Sequence, residues 1–162
     1  MNFFLADILI SQDKDVDLNI KKQILIKGLD QINKELKTSK TNNSCLTVSL
    51  RLTNIRNMKK LNYSFSGSNK ETNVLSFLPD PNETDENNNS VGDIAICVDV
   101  LKKEAKEQNK DFLDHLLHLF VHGVLHLLGY KHGSDREASK MEQIEKSILS
   151  KLGIEDPYLI EL

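Results

Sequence analysis

The spacing of apolar residues along the chain predicts alternating strands and helices. In the segment 17–38 apolar side chains recur every three or four residues, the period of an amphipathic helix. The stretch "CLTVSLRLT" alternates instead and has a composition typical of strands, and "TNVLSFLPD" is a further predicted strand that Pro79 and Pro81 stop. The predicted strands are Phe3–Ile10, 45–53, 72–80 and 91–98, and the predicted helices are 17–38, 54–65, 99–109, 111–128 and 135–153.

The order β-α-β-α-β-β-α-α-α indicates an α+β fold, in which a small mixed β-sheet packs against helices. A chain of 162 residues fits one domain, and we expect residues 1–162 to form it. Asp99 is a possible N-cap of the third helix, and Gly153 marks the end of the last one. The acidic, Asn-rich segment 83–89 predicts a flexible surface loop.

Composition places the chain among soluble proteins, with 39% hydrophobic and 28% charged residues. The apolar N-terminus lacks the basic start of a signal peptide, and Asp7 interrupts it. The apolar run 116–129 is too short to span a membrane. These features predict a cytoplasmic protein that does not bind membranes. Cys45 and Cys97 lie in apolar, strand-like runs of such a protein, which predicts that both are buried free thiols.

Charge is distributed unevenly along the chain. Residues 19–70 carry eleven Lys and Arg against two acidic residues, although the net charge of the whole protein is −3. Such a segment fits a surface that faces a polyanion such as RNA. Charge alone also fits ordinary solvated helix faces, so this alternative stays open.

All five histidines lie between residues 115 and 132. His122 and His126 are four residues apart and therefore share one face of the predicted helix 111–128. Gly129 is placed to end that helix, so the chain can reverse and return His132 to the same point. Three imidazoles that leave a fourth position open are typical of catalytic rather than structural zinc.

The two remaining histidines have other interpretations. His118 and His126 are about 12 Å apart along a helix axis, so one ion pairs His122 with only one of them, and the placement of Gly129 and His132 favours His126. We therefore interpret His118 either as a neighbour of the ligands or as a packing residue, and His115 as ordinary structure. Asp93 is weighed as an acceptor for a metal-binding imidazole and Ser76 as a residue lining the cleft, each against a purely structural role.

The histidine spacing has the shape of a metzincin protease site, with one difference. Those enzymes place a glutamate general base directly after the first histidine, where this chain has Gly123. No carboxylate is therefore positioned by the motif to accept a proton. Peptide hydrolysis is disfavoured for this reason.

The chain resembles the bacterial YbeY family of metal-dependent endoribonucleases. The resemblance rests on "HLFVHGVLHLLGYKH" (118–132), "LNYSFSGSNKETNVLSF" (61–77), "GDIAIC" (92–97) and "ILSKLGIEDPY" (148–158), in the family's order. It implies that His122, His126 and His132 bind one Zn²⁺, or another divalent metal. It also implies cleavage of single-stranded RNA in rRNA maturation and ribosome quality control, with ribosomal partners and a monomeric protein.

Two positions depart from the family pattern. Ser66 stands where the family's "YRG" stretch has Arg, and Lys131 replaces the acid of its "GYDH" stretch. His118, Ser66 and Lys70 are the catalytic candidates, and Arg56, Lys59 or Lys60 are alternative sources of the missing charge. The loss of Arg leaves a second hypothesis open, a ribosome-associated processing factor with weak or no nuclease activity.

Overall fold

The computed structural model describes residues 7–36, 47–82 and 90–159. Within these ranges the chain forms four strands and five helices in the predicted order. They are β1 (Asp7–Gln12), α1 (Lys22–Leu36), β2 (Thr47–Thr53), α2 (Ile55–Ser66), β3 (Val74–Phe77), β4 (Ser90–Cys97), α3 (Val98–Glu107), α4 (Phe112–Leu127) and α5 (Asp135–Lys151). The start predicted for the first strand, Cys45 and the segment 83–89 lie outside the described residues.

The sheet is mixed, with strand order β1-β2-β4-β3. β1, β2 and β4 are parallel, and β3 pairs antiparallel with β4. The predicted α+β class with a small mixed sheet is confirmed. The sheet's edge at β3 also contacts α4, the helix that carries four of the five histidines and ends beside the fifth.

The two faces of the sheet bury different side chains because successive residues of a strand point in opposite directions. Ile94 and Ile96 of β4 join the main core with residues of α1, α4 and α5. Ala95 and Cys97 point the other way and pack with Met58 of α2 in a second, smaller cluster. The helices α1 and α2 therefore cover opposite faces of the sheet. The free thiol predicted at Cys97 is buried in that smaller cluster.

Two element boundaries differ from the sequence prediction. The first helix begins at Lys22 rather than at residue 17, because Val16, Leu18 and Ile20 pack on the core from an extended segment. These three residues are two positions apart, a spacing that is not helical. The helical pattern follows directly after Ile20, so the sequence does not show where the helix begins.

Asp99 is not an N-cap. Helix α3 already begins at Val98, after Cys97, whose side chain makes no capping hydrogen bond. The Asp99 carboxylate instead accepts a hydrogen bond from the backbone N–H of Ile55, at 3.3 Å. Among the helices in the described ranges, none combines the length and apolar character needed to cross a membrane.

Candidate metal centre

Helix α4 positions two of the three predicted ligands. The Asp111 carboxylate caps its first turn by accepting hydrogen bonds from the N–H groups of Leu113 and Asp114. Ten of its residues are buried, so the helix is held between the sheet and its neighbouring helices. His122 and His126 lie one turn apart near its C-terminal end, and their ring centroids are 4.6 Å apart.

The turn after α4 brings the third histidine back. Gly129 adopts φ +100°, a conformation that side-chain-bearing residues rarely adopt. The N–H of Tyr130 then donates to the Leu125 carbonyl, at 3.0 Å, which closes the turn. The exposed His132 ring consequently lies 4.6 Å from that of His126 and 5.5 Å from that of His122, centroid to centroid. The predicted role of Gly129 is confirmed by this geometry.

Among the described residues, these three imidazoles form a group that is able to hold a metal ion. One ring nitrogen from each of His122, His126 and His132 lies within 4.8 Å of the other two. His122 and His126 are half-buried and His132 is exposed. The cluster therefore opens to solvent on the side of His132, which leaves room for a further ligand or a substrate group.

Hydrogen bonds on the far side of two rings fix which nitrogen faces the cluster. Nδ1 of His122 lies against a carboxylate oxygen of Glu145, which accepts only, so Nδ1 carries the proton. Nδ1 of His126 lies 3.0 Å from the Tyr130 carbonyl and must donate as well. In the neutral rings both Nε2 atoms therefore carry lone pairs.

These two lone pairs face each other, because Nε2 of His122 and Nε2 of His126 are 3.0 Å apart. Two acceptors at this distance repel unless a cation lies beside them. Burial and the neighbouring His122 lower the pKa of His126, which favours the neutral, metal-binding form. The donor set thus fits a divalent ion of the kind that imidazole binds, such as Zn²⁺.

Glu145 is the residue that sequence reasoning missed. Its side chain is fully buried, and it contacts His122, His118 at 3.2 Å and the hydroxyl of Tyr158. Burial alone raises the pKa of a carboxyl group, but the hydrogen bonds from His118, His122 and Tyr158 outweigh it and hold the pKa of Glu145 at about 2. Burial and the Glu145 carboxylate in turn raise the pKa of Tyr158.

A sequence signal for Glu145 exists. It shares the buried face of α5 with Met141, Ile148 and Leu149, at the spacing of a core-facing helix stripe. A carboxylate at a core position has to be paired. Asp93, weighed as the acceptor for a ligand histidine, is exposed on β4, and Glu145 takes that position instead.

The other two histidines lie beside the cluster and not in it. Nε2 of His118 contacts Glu145, so the Glu145 carboxylate lies between His118 and His122. His115 is 3% exposed, and burial, assisted by His118 and Lys110, lowers its pKa to about 4. Nε2 of His115 lies 3.7 Å from a carboxylate oxygen of Glu104.

Gly123 is required by packing. A Cβ atom at this position would lie 3.2 Å from the Ile94 side chain and 3.2 Å from Oγ of Ser76, which is tighter than ordinary contact. The Ser76 hydroxyl donates to the Gly123 carbonyl at 2.9 Å, as expected for the structural interpretation of Ser76. The position at which metzincins have their glutamate therefore faces the sheet in this protein, where α4 contacts Ile94 and Ser76.

The remaining catalytic candidates lie at the end of α2. The Ser66 hydroxyl donates to the Asn62 carbonyl at 2.9 Å, and Gly67 ends the helix at φ +76°. Lys70 is exposed in the following loop, where its carbonyl accepts a hydrogen bond from the Asn62 amide at 2.9 Å. This loop leads directly into β3, which contacts α4 through Ser76.

Within residues 19–36 and 47–70, the part of the basic segment that the structure describes, the basic side chains do not form one continuous surface. Helices α1 and α2 of this segment pack on opposite faces of the sheet. Lys22 is paired with Asp7 at 2.7 Å, and Arg51 with Asp13 at 3.0 Å. The basic side chains of α2 and the loop after it lie on the part of the segment that leads to β3: Arg56, Lys59, Lys60 and Lys70.

Comparison with known proteins places this arrangement in a family. The model of the family described as "Endoribonuclease YbeY" matches residues 7–153. A protein of that name from Bartonella henselae is 41% identical over 153 residues, which cover 94% of this chain and 95% of the relative. One from Colwellia psychrerythraea is 46% identical over 124 residues, covering 75% and 77%.

A solved structure with low sequence identity shares the fold. The solution structure of TM1509 from Thermotoga maritima superposes with a TM-score of 0.53 at 23% identity, covering 94% of this chain and 99% of that one. This match supports the fold alone. The family model covers residues 7–153, which include the histidine cluster, and both relatives cover most of the chain, so the chain belongs to the YbeY family.

Proposed function

We propose that the protein is a zinc-dependent endoribonuclease that cleaves single-stranded RNA in rRNA maturation and ribosome quality control. The observation that carries the proposal is the convergence of His122, His126 and His132 within 4.8 Å, with lone pairs facing inward on the first two. The name of these relatives, Endoribonuclease YbeY, supports the reaction class. A ribosomal partner, a monomeric state and a cytoplasmic location are parts of the same proposal.

The three histidines are the residues that would hold the ion. When bound at such a site, a divalent metal polarises a phosphoryl oxygen and acidifies water. Glu145 and the Tyr130 carbonyl hold the His122 and His126 rings with Nε2 inward, so the donor set is organised beforehand. The exposed side at His132 lets a phosphodiester approach, while Gly123 leaves no carboxylate on α4 beside His122 to act as a base.

Basic side chains of α2 and the loop after it supply the attraction for RNA. Arg56, Lys60 and Lys70 are exposed and lie on the segment that leads into β3. Contacts of this kind with phosphates depend little on base sequence and weaken as salt displaces them. They hold a single strand along the edge of the sheet that meets α4.

A second candidate function is favoured by Ser66. Its hydroxyl is hydrogen bonded within its own helix, and the position carries no positive charge. A protein without a cation here would bind zinc and RNA yet cleave slowly or not at all. This alternative is a ribosome-associated rRNA-processing factor whose metal is structural.

The test combines metal analysis with cleavage of rRNA fragments by protein purified free of host nucleases. His126→Ala removes one donor, so we expect loss of both bound zinc and cleavage. His115→Gln changes a histidine of the same helix that lies outside the cluster, and it should retain both. Cleavage by His126→Ala protein that holds no metal would refute the nuclease proposal.

Ser66→Arg separates the two candidate functions. The zinc-loaded wild type should cleave the fragments, and the arginine variant should cleave them faster because it adds a cation near the substrate. A wild type that binds zinc and RNA without cleaving, at any metal concentration tried, would favour the processing factor.

A further inference from the structure

A cavity lies beside the candidate metal centre, and His118 lies between the two. It has a volume of about 750 Å³, and it is enclosed by the α3–α4 turn, the first turns of α4 and the tail after α5. This volume lies within the range of small-molecule sites. His115 and His118 line it, and His118 also contacts Glu145 at the metal centre. The nuclease proposal assigns no role to this cavity.

Both histidines present hydrogen-bond acceptors there. Nε2 of His118 faces the Glu145 carboxylate and must donate to it, so in the neutral ring Nδ1 carries a lone pair. Burial lowers the pKa of His115 to about 4, so its ring is neutral at pH 7 and carries one lone pair, and neither of its ring nitrogens has a hydrogen-bond partner. Both Nδ1 atoms are buried and have no hydrogen-bond partner.

Carboxylates complete the lining. Asp111, Asp114, Glu155 and Asp156 all border the cavity. Burial, together with the charges of Asp111 and Glu155, raises the pKa of Asp114. The negative charge around Asp114 is thus incompletely balanced by the protein itself.

Several donors near the cavity are already used, although the side-chain amides of Gln108 and Asn109 also line it. The N–H groups of Leu113 and Asp114 at the start of α4 donate to the Asp111 carboxylate. The ammonium of Lys110, which also lines the cavity, donates to the Pro157 carbonyl at 3.1 Å. The lining has four carboxylates and one lysine, a balance of charge that disfavours an anion and favours a cation that donates hydrogen bonds.

The acceptors are too far apart for a metal ion. In the described part of the chain, the side chains that lie close enough to share one ion are those of His122, His126 and His132. The acceptors that line the cavity do not form such a group. Ile154, Pro157 and Leu159 add apolar surface to the lining. This pattern matches a ligand with ammonium or guanidinium ends joined by a methylene stem.

We propose that this cavity binds an organic cation bearing amino or guanidinium groups. Two sources have this chemistry: a free linear polyamine, and a lysine or arginine side chain presented by a protein. His115 and His118 accept from its donors, and Asp114 and Glu155 supply the charge. The proposal does not depend on the nuclease function, because binding is measured without RNA.

Isothermal titration of the full chain, as purified and at constant ionic strength, tests the proposal. The probes are spermidine for the polyamine and N-acetyl-arginine amide for the side chain, with 1,8-octanediol as an uncharged stem. We expect one saturable site for at least one charged probe and none for the diol. Tighter binding of spermidine would identify a free polyamine as the ligand. Tighter binding of the blocked arginine would identify a side chain of a protein as the ligand. Either result supports the site.

Matched variants locate the binding. Asp114→Asn and the exposed Glu155→Gln should each weaken it about tenfold or more, the effect of losing one charge-assisted hydrogen bond. Asp17→Asn removes the same charge from the exposed loop before α1 and should leave binding unchanged. Circular dichroism confirms folding, and Glu155→Gln serves as the test if Asp114→Asn fails to fold. Absence of saturable binding by both probes, or equal weakening by Asp17→Asn, would overturn the proposal.

Discussion

At the residue scale, a single buried carboxylate organises the metal centre. Glu145 accepts hydrogen bonds from two histidines and a tyrosine, and its pKa of about 2 keeps it charged across the working range of pH. The convergence of the three histidines was predictable because their spacing is itself the signal. The helix stripe of α5 marks Glu145 as a buried carboxylate but does not name its partners, which lie up to 27 residues away in sequence and meet it only when α5 packs against α4.

Glu145→Gln tests this role. The amide keeps the shape but lacks one acceptor and the charge, so His122 loses its fixed orientation. We expect zinc affinity to fall about 10- to 100-fold. Competition with a chromophoric chelator measures the dissociation constant.

Glu142→Gln on the same helix is the matched control, since Glu142 is not among the groups that hydrogen bond to the histidines. Its zinc affinity should stay at the wild-type value. Equal affinities for the Glu145→Gln variant and the wild type would show that the carboxylate has no part in holding the metal.

At the scale of elements, the turn between α4 and α5 decides whether three histidines meet. The sequence pattern predicted this turn, because glycine is the residue that most readily adopts the left-handed conformation in which many helices end. The pattern did not reveal the true start of α1, where Val16, Leu18 and Ile20 of an extended segment continue the helical spacing. Periodicity is ambiguous wherever two elements are joined by residues that are both apolar and regularly spaced.

Gly129→Ala isolates the conformational part of that turn. A Cβ atom at Gly129 would meet nothing within 4 Å, so the cost comes from φ +100° alone. We expect a loss of about 1 kcal/mol or more in the free energy of unfolding. Zinc affinity should weaken as well, because His132 is displaced.

Gly133→Ala provides the comparison, since that glycine also has open space around it and no positive φ. Urea unfolding should place this variant within a few tenths of a kcal/mol of the wild type. Similar losses in both variants would mean that general flexibility, and not the backbone conformation of Gly129, is responsible.

At the scale of the whole molecule, the sheet separates two regions. One face carries the main core and the histidine helix, and the other carries α2 with its basic side chains. The class of fold followed from the order of elements, whereas the strand order β1-β2-β4-β3 depends on contacts between distant segments. The division of the basic segment 19–70 between both faces was hidden in the sequence for the same reason.

His115 links global stability to pH. Its pKa is lowered to about 4 in the folded state, against about 6.5 in the unfolded chain, by burial and by His118 and Lys110, while the Glu104 carboxylate lies 3.7 Å away. The unfolded state therefore binds a proton first as the pH falls. Stability is unaffected above about pH 6.5 and decreases between about 6.5 and 4, by up to about 3 kcal/mol.

Urea unfolding at pH 7.0, 5.5 and 4.5, with a chelator present so that metal release does not contribute, measures this effect. His115→Gln removes the titrating group, and the difference between wild type and variant should shrink as the pH falls. A difference that stays constant from pH 7.0 to 4.5 would contradict the shifted pKa as the cause.

The three histidines of the metal cluster lie within eleven consecutive residues, and Glu145 follows thirteen residues after the last of them. During synthesis the donor atoms are thus all present before α5 has been made. The carboxylate that restrains the His122 ring is therefore synthesised after all three imidazoles. The cluster itself needs only α4 and the turn after it, whereas its rigidity needs α5 as well.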